Sequence, residues 1–320
     1  MIELSQIATA LKLKKSVGII CHVRPDGDTI GSAFGLKFAL DLLGVQSDVI
    51  CSDPVPSKFD FILDGEKVFS SIEKEYDCLV AIDCADVTRL GDLAQEFINH
   101  KDTIVIDHHV SNTRFAKTNY VQCFAANAVN VYFLITHLEV EPNKRIANAL
   151  ASGIMTDTGR FCHKDVQSTV LVVASHLIEK GADLNLINKK LFVSQSKNRA
   201  KLFGKVMQSL RYFYQDKVVV ATVTQNDLAL TGAQPDETEG FIEFIMGIEG
   251  VEVGACLLEI GKNKYKISLR SNGETNVNAV ASDFGGGGHI LASGCQIAGE
   301  YEEVVDKITF SIKRQLPDVL

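Results

Sequence analysis

Six residues of metal-binding type stand where short apolar or helical runs of this 320-residue sequence give out: His22, Asp26, Asp28, Asp83, His108 and Asp157. SVGIIC runs into His22 and then Arg24-Pro25-Asp26-Gly27-Asp28. LVAID ends in Asp83, TIVID ends in Asp107 followed by His108 and His109, and GIMTD ends in Asp157. Any one of these aspartates alone would read as a helix cap or turn residue. Together, six carboxylates and imidazoles are too many for one structural ion. They suit two divalent ions about 3.5–4 Å apart, bridged by one carboxylate. A set of oxygen and nitrogen donors without thiolate favours manganese or magnesium over a structural zinc site. Such a pair of ions serves the hydrolysis of phosphate esters.

A second group lies in SLRSNGETNVNAVASDFGGGGHILASGC. Arg270 and Ser271 close an apolar run there, and Gly285 to Gly288 precede His289. Glycines without side chains let backbone N–H groups approach an anion. Arg270 and His289 add donors, and an arginine offers a planar fork to a phosphate.

Elements must carry these residues. The runs 16–21, 47–51, 77–83 and 102–107 read as buried strands. Between them, Ile30 to Leu43 has helical spacing and stops at Gly44, a residue that ends helices readily. Residues 129–138, 145–154 and 167–180 read as further helices, and the opening MIELSQIATALKLKK as an amphipathic one. Strands alternating with helices predict an α/β fold: a mostly parallel sheet with helices on both faces. In such sheets ligands collect beyond the carboxyl ends of the strands, where the six residues would meet. The expected division is a catalytic domain over 1–187, a helical linker over 188–212 and a smaller α/β domain over 213–320, with a cleft between the domains. In the smaller domain, strands are expected at 217–223, in VEVGACLLEI, in YKISLRS and near Cys295. Helices are expected near 238–246, over 277–283 and at the end, with GGGGH as a loop.

Composition narrows the partners. The net charge is −8 and there is no dense Lys/Arg run, so a long duplex nucleic acid is not expected. A small phosphate substrate, with the ions supplying positive charge, is. No apolar run reaches the ~20 residues of a membrane span, and the N-terminus lacks the pattern of a signal peptide. The eight cysteines are scattered, with no C-x-x-C pair. A reducing cytoplasm without membrane association is the expected setting.

HVRPDGDTIGS, AIDCAD, DHH and GIMTDTG, in this order, resemble the four signature blocks of the DHH phosphoesterase family, and SLRS and GGGGH resemble its associated C-terminal domain. By size and layout the chain is similar to the stand-alone group of bifunctional oligoribonucleases and pAp (3′-phosphoadenosine 5′-phosphate) phosphatases. The resemblance implies hydrolysis of short RNA or pAp, with cyclic or linear dinucleotides as alternative substrates. It implies one ion on His22, Asp26 and Asp83, and a second on Asp28, Asp83, His108 and Asp157. Asp107 would orient a histidine, and His109 would face the scissile phosphate. Arg270, Ser271, Gly287, Gly288 and His289 would bind the far end of the substrate. Manganese is the implied metal, with magnesium or cobalt as alternatives, and a homodimer is consistent with the family. Asn127, Ala128 and Asn130 stand where relatives often carry Ser-Thr-x-Glu, and Arg160-Phe161-Cys162-His163 stands where an arginine often follows the fourth block. Neither departure touches an implied metal ligand. A pyrophosphatase or polyphosphatase is disfavoured by the second group, and a RecJ-type exonuclease of long substrates by the acidic balance. A nucleotide sensor without catalysis is disfavoured by the full set of ligands.

Overall fold

The computed structural model describes residues 3–316. It divides into two compact units, 1–194 and 195–320.

The first unit opens with α1 (Leu4–Lys12), β1 (Ser16–Ile20), α2 (Gly27–Leu42), β2 (Gln46–Ile50), α3 (Asp60–Leu63), β3 (Val68–Phe69) and β4 (Cys78–Ile82). It continues with α4 (Ala94–Asn99), β5 (Thr103–Asp107), β6 (Thr118–Val121), α5 (Asn127–His137), α6 (Lys144–Asp157), α7 (Ser168–Glu179) and α8 (Leu184–Asn188). The strands form one sheet in the order β3-β2-β1-β4-β5-β6, and every pairing is parallel. The expected parallel sheet is therefore found, with two strands the sequence reading did not include. β3 is only two residues long and β6 (TNYV) is half-buried and polar, so neither presents an apolar run.

Both faces of the central strands are covered. Ile19, Val80, Ile82 and Ile106 pack with α2, α5 and α6. Ile20, Leu79, Ala81 and Val105 pack on the opposite side with Leu90, Leu93 and Phe97. This is why β1, β4 and β5 read as continuous apolar runs rather than alternating ones.

α2 is buried on nearly all sides. Its glycines recur every fourth residue at 27, 31 and 35, along one helix face, and α6 lies against them. A Cβ at Gly31 would stand 2.4 Å from Ala149 O, and one at Gly35 would stand 2.5 Å from Leu150 Cδ2. The close approach brings Asp28 on α2 and Asp157 on α6 to the same end of the sheet. Gly153 on α6 completes the fit, since a Cβ there would lie 2.7 Å from Asp28 Oδ1 and 2.9 Å from Ala128 Cβ. Gly153→Ala is expected to cost about 1–3 kcal/mol through overpacking. It should also shrink the rise in melting temperature that Mn²⁺ produces, because it displaces a carboxylate. Thermal melts with EDTA and with Mn²⁺ check both, and an unchanged rise would show that Asp28 is not a ligand.

The second unit holds α9 (Lys197–Gln208), β7 (Arg211–Phe213), β8 (Val218–Val223), α10 (Gln225–Thr231), α11 (Phe241–Met246), β9 (Val253–Gly261) and β10 (Lys264–Ser271). α12 (Val277–Ser282), β11 (Gly287–His289), β12 (Ala292–Ala298) and α13 (Tyr301–Lys313) follow. Its sheet runs β11-β12-β10-β9-β8-β7, antiparallel except for the parallel pair β8–β9. α12 and α13 bury one face, through Val280, Val305 and Ile308 among others. α9, α10 and α11 cover β8 and β9 on the other, through Leu202, Leu228 and Phe241.

The GGGGH segment, expected as a loop, is partly strand: Gly287 to His289 pair with β12. Two of its glycines have a packing reason. A Cβ on Gly286 would lie 2.2 Å from Gly294 O, and one on Gly288 (φ 146°) would lie 2.6 Å from Ala292 O.

Candidate metal centre and substrate residues

In the first sheet the strand order reverses between β1 and β4, and a crevice opens at such a switch point. His22 follows β1 and Asp83 follows β4, one on each side of it. Asp107 ends β5, and His108 and His109 come next. α6 runs three residues further than the sequence pattern suggested, so Asp157 is its last residue rather than part of a following loop.

The six residues meet. Ligand atoms of His22, Asp26 and Asp83 lie within 4.8 Å of one another, as do those of Asp28, His108 and Asp157, and those of Asp83, His108 and His109. Asp83 joins the first group to the others. Its Oδ2 is 3.6 Å from His22 Nε2, and its Oδ1 is 3.2 Å from His108 Nε2. His22 Nε2 is also 3.5 Å from Asp26 Oδ2, and His108 Nε2 is 3.5 Å from Asp157 Oδ2.

Asp26, Asp28 and His108 are held from behind. Asp26 caps α2, its Oδ1 accepting from Asp28 N and Thr29 N at 3.0 and 3.1 Å, while Oδ2 faces His22. The cap reading and the ligand reading of this aspartate are thus compatible. Asp28 is fully buried. Its oxygens accept from the first N–H groups of α5, at Asn127 (2.5 Å) and Ala128 (2.9 Å), and from Ser32 Oγ at 3.2 Å. The departures at 127 and 128 therefore leave this contact intact, because it is made by backbone. His108 Nδ1 lies 2.8 Å from Phe124 O; donating its hydrogen there leaves Nε2 as a lone pair. Asp83 sits at φ 59°, a left-handed conformation rare outside glycine, asparagine and aspartate.

The electrostatics of the cluster suit bound cations. Asp83 Oδ1 is a buried oxygen without a hydrogen-bond partner, 3.2 Å from His108 Nε2. Burial pushes the Asp157 carboxyl up, and the Asp83 charge adds to it, to about 7. Burial does the same to Asp28, and the charges of Asp157 and Asp83 add to it. Burial also opposes the charge on Asp83, but His108 and His22 outweigh that and hold its carboxyl below the usual range. Burial would lower both histidines; Asp26 and Asp83 instead raise His22 to about 10, and Asp83 and Asp28 raise His108 to about 11. The cluster gathers four carboxylates and two imidazoles in a largely buried place, and divalent ions fit that donor set.

His109 stands at the edge of the cluster, its side chain 42% exposed. Its Nδ1 donates to Asp107 Oδ1 at 2.8 Å, and that bond, against burial, raises its pKa. Asp107 is fully buried and its other oxygen accepts from Asn112 Nδ2 at 2.6 Å. The histidine that Asp107 orients is thus His109. Asn112, which the sequence reading passed over, positions the pair. It lies five residues beyond Asp107, with no spacing to single it out.

In the second unit the register sets Arg270 opposite Ala292 and Ala292 opposite His289. Arg270 and His289 thus share one row and one face, flanking a small residue. Arg270 donates to Leu269 O at 3.1 Å and lies 3.4 Å from Glu243 of α11. Gly287 and Gly288 are exposed beside them, and no atom crowds the Cβ position of Gly287. Ser271 is not brought to this group. As the next residue along the strand it points to the other face, is buried, and accepts from Gly273 N at 3.3 Å.

Residues 16–154 match the model of the DHH family, N-terminal domain, and residues 215–316 match the DHHA1 domain. The chain is 31% identical over 316 residues to the bifunctional oligoribonuclease and PAP phosphatase NrnA of Thermus thermophilus, covering 97% of this chain and 93% of the relative. The chain belongs to the DHH family. A probable NrnA of Streptococcus mutans is 27% identical, covering 92% of this chain and 93% of that one. The crystal structure of an exopolyphosphatase-related protein from Bacteroides fragilis superposes with a TM-score of 0.86 at 24% identity, covering 97% of this chain and 95% of that one, and so shares the fold. As a DHH-family protein the chain is a hydrolase of phosphate esters that depends on divalent metal ions. No helix among the described residues is long and apolar enough to cross a membrane.

Proposed function

We propose that this DHH-family hydrolase cleaves short oligoribonucleotides to mononucleotides and removes a phosphate from pAp, working with two manganese ions. One observation carries the metal part: the two oxygens of Asp83 face two separate histidines, His22 and His108, as a bridging carboxylate must. The NrnA relatives, matched over nearly their whole length, support the substrates. His22, Asp26 and Asp83 would hold one ion, and Asp28, Asp83, His108 and Asp157 the other. Bound there, the ions supply positive charge and lower the pKa of water toward neutrality. His109 presents Nε2 toward the reacting phosphate, with Asp107 and Asn112 fixing its ring. Arg270, Gly287, Gly288 and His289 bind the remainder of the nucleotide; Ser271 supports the turn after β10. Eight unpaired cysteines, six of them buried, fit a reducing cytoplasm. A homodimer belongs to the same reading, and the exposed Leu171, Val172 and Ile178 of α7 offer an apolar face for it.

The test is a panel with Mn²⁺ and an EDTA control: pAp, a 5′-phosphorylated RNA dinucleotide, a five-mer, a long RNA, cyclic di-AMP and pyrophosphate. Fast turnover of pAp and the shortest RNAs, abolished by EDTA, is expected. Turnover of pyrophosphate alone would sink the proposal. Arg270→Ala is expected to raise KM for pAp by ~10- to 100-fold, the scale of a lost charged hydrogen bond, with kcat little changed. A fall in kcat at constant KM would remove Arg270 from the binding residues.

A further inference from the structure

Arg89 lies in the tight helical turn Val87–Leu93 that follows Asp83. Its main chain is fixed on both sides. Asp86 caps the turn by accepting from Thr88 N at 2.8 Å, and Arg89 O accepts from Val23 N at 2.7 Å. Gly91, at φ 60°, lets the turn pass close to the same strand end, since a Cβ there would lie 2.5 Å from Val23 Cγ1. From this rigid base the half-buried side chain reaches His22, with Nη2 3.1 Å from Nδ1.

That contact competes with another. His22 Nδ1 is also 2.8 Å from Val23 O. A neutral imidazole nitrogen carries either a hydrogen or a lone pair. Arg89 only donates, so its contact needs the lone pair on Nδ1. Val23 O only accepts, so its contact needs the hydrogen there. With a cation on His22 Nε2, that nitrogen would provide the lone pair and Nδ1 would carry the hydrogen. The hydrogen would go to Val23 O, and Arg89 would be left without an acceptor. The contact with His22 is its only side-chain hydrogen bond among the described residues, and no carboxylate replaces it.

A half-buried guanidinium without a partner is costly, and here it stands beside the triad His22, Asp26 and Asp83. An anion arriving at the ions relieves it, and a phosphate matches the guanidinium fork. We propose that Arg89 binds the non-bridging oxygens of the substrate's phosphoryl group once His22 is committed to a metal ion. The proposal rests on the function proposed above.

The test uses the full chain as wild type, Arg89→Ala and Arg89→Lys. Mn²⁺ affinity is read from the electron paramagnetic resonance of free Mn²⁺. The affinity of the loaded protein for inorganic phosphate is read by calorimetry. Arg89→Ala is expected to keep Mn²⁺ affinity within about twofold of wild type while losing ~10- to 100-fold in phosphate affinity. Arg89→Lys should recover part of that, as a point charge without the fork, and it serves alone if the alanine variant does not fold. Unchanged phosphate affinity in both variants would overturn the proposal, as would a wild type that binds no phosphate when loaded. A parallel loss of Mn²⁺ affinity would overturn it too, by making Arg89 a support for His22. Turnover of the substrate panel is measured separately. A wild type that binds phosphate but hydrolyses nothing would sink the function and leave the phosphate result to judge Arg89.

Discussion

Asp83→Asn is expected to lower kcat/KM for pAp by more than ~10³-fold, beyond the ~10²–10³ typical of losing one preorganised transition-state donor. Asparagine is the informative replacement because residue 83 holds φ 59°, which asparagine tolerates and alanine does not. The backbone therefore stays in place and the change is confined to the carboxylate. An amide offers one neutral oxygen where Asp83 offers two charged ones, and its NH₂ would point hydrogens at one of the two ion positions. The Mn²⁺ stoichiometry of the variant should fall below two per chain, measured by equilibrium dialysis, with the circular dichroism spectrum unchanged. Asp26→Asn is the comparison. Asp26 is 54% exposed and belongs to one triad only, so its loss should be much smaller. Equal losses in the two variants would mean that Asp83 is not a bridge.

That these side chains converge was legible in sequence for a simple reason. Three strands buried on both faces appear as apolar runs, and a histidine or aspartate immediately after such a run has to sit at the carboxyl edge of the sheet. His22, Asp83 and His108 follow from that rule alone. What holds them was not legible. Asp28 is anchored by the N–H groups of Asn127 and Ala128, and backbone donors leave no mark in residue type. Asn112 holds Asp107 from a turn, by a single side-chain bond that no sequence pattern marks. β3 and β6 are too short or too polar to show a period. One error was avoidable. Arg270 and Ser271 are adjacent in a strand, and alternation alone places them on opposite faces; reading SLRS as one motif concealed this. The glycine run, read as an anion cradle, meets in part a packing requirement at Gly286 and Gly288, while nothing crowds Gly285 or Gly287.

The crowding of carboxylates gives the second large effect, a stability whose pH dependence depends on the metal. Without divalent ions, Asp157 holds its proton in the folded protein up to about pH 7, whereas unfolded it releases it near its ordinary value of ~3.9. Between those values the folded state binds more protons, so stability falls as pH rises. Asp28, raised in the same direction, adds to the fall. His22 and His108 continue it: their folded pKa values of about 10 and 11 exceed the unfolded value of 6.5, so their contribution is full below pH 6.5 and is lost above it. Asp83, held low, contributes only on acidification below pH ~4. Asp157, Asp28, His22 and His108 therefore act in one direction between pH 5 and 9, and Asp157 alone is worth at most roughly 4 kcal/mol. Bound cations reverse this, because ligands must shed their protons to coordinate and binding strengthens as pH rises. Melting temperature in EDTA should fall from pH 5 to pH 9, while the gain from saturating Mn²⁺ should grow over the same range. A gain that stays constant with pH would mean that no protons leave on binding. The cluster of Asp28, Asp83, His108 and Asp157 would then not be where the metal sits.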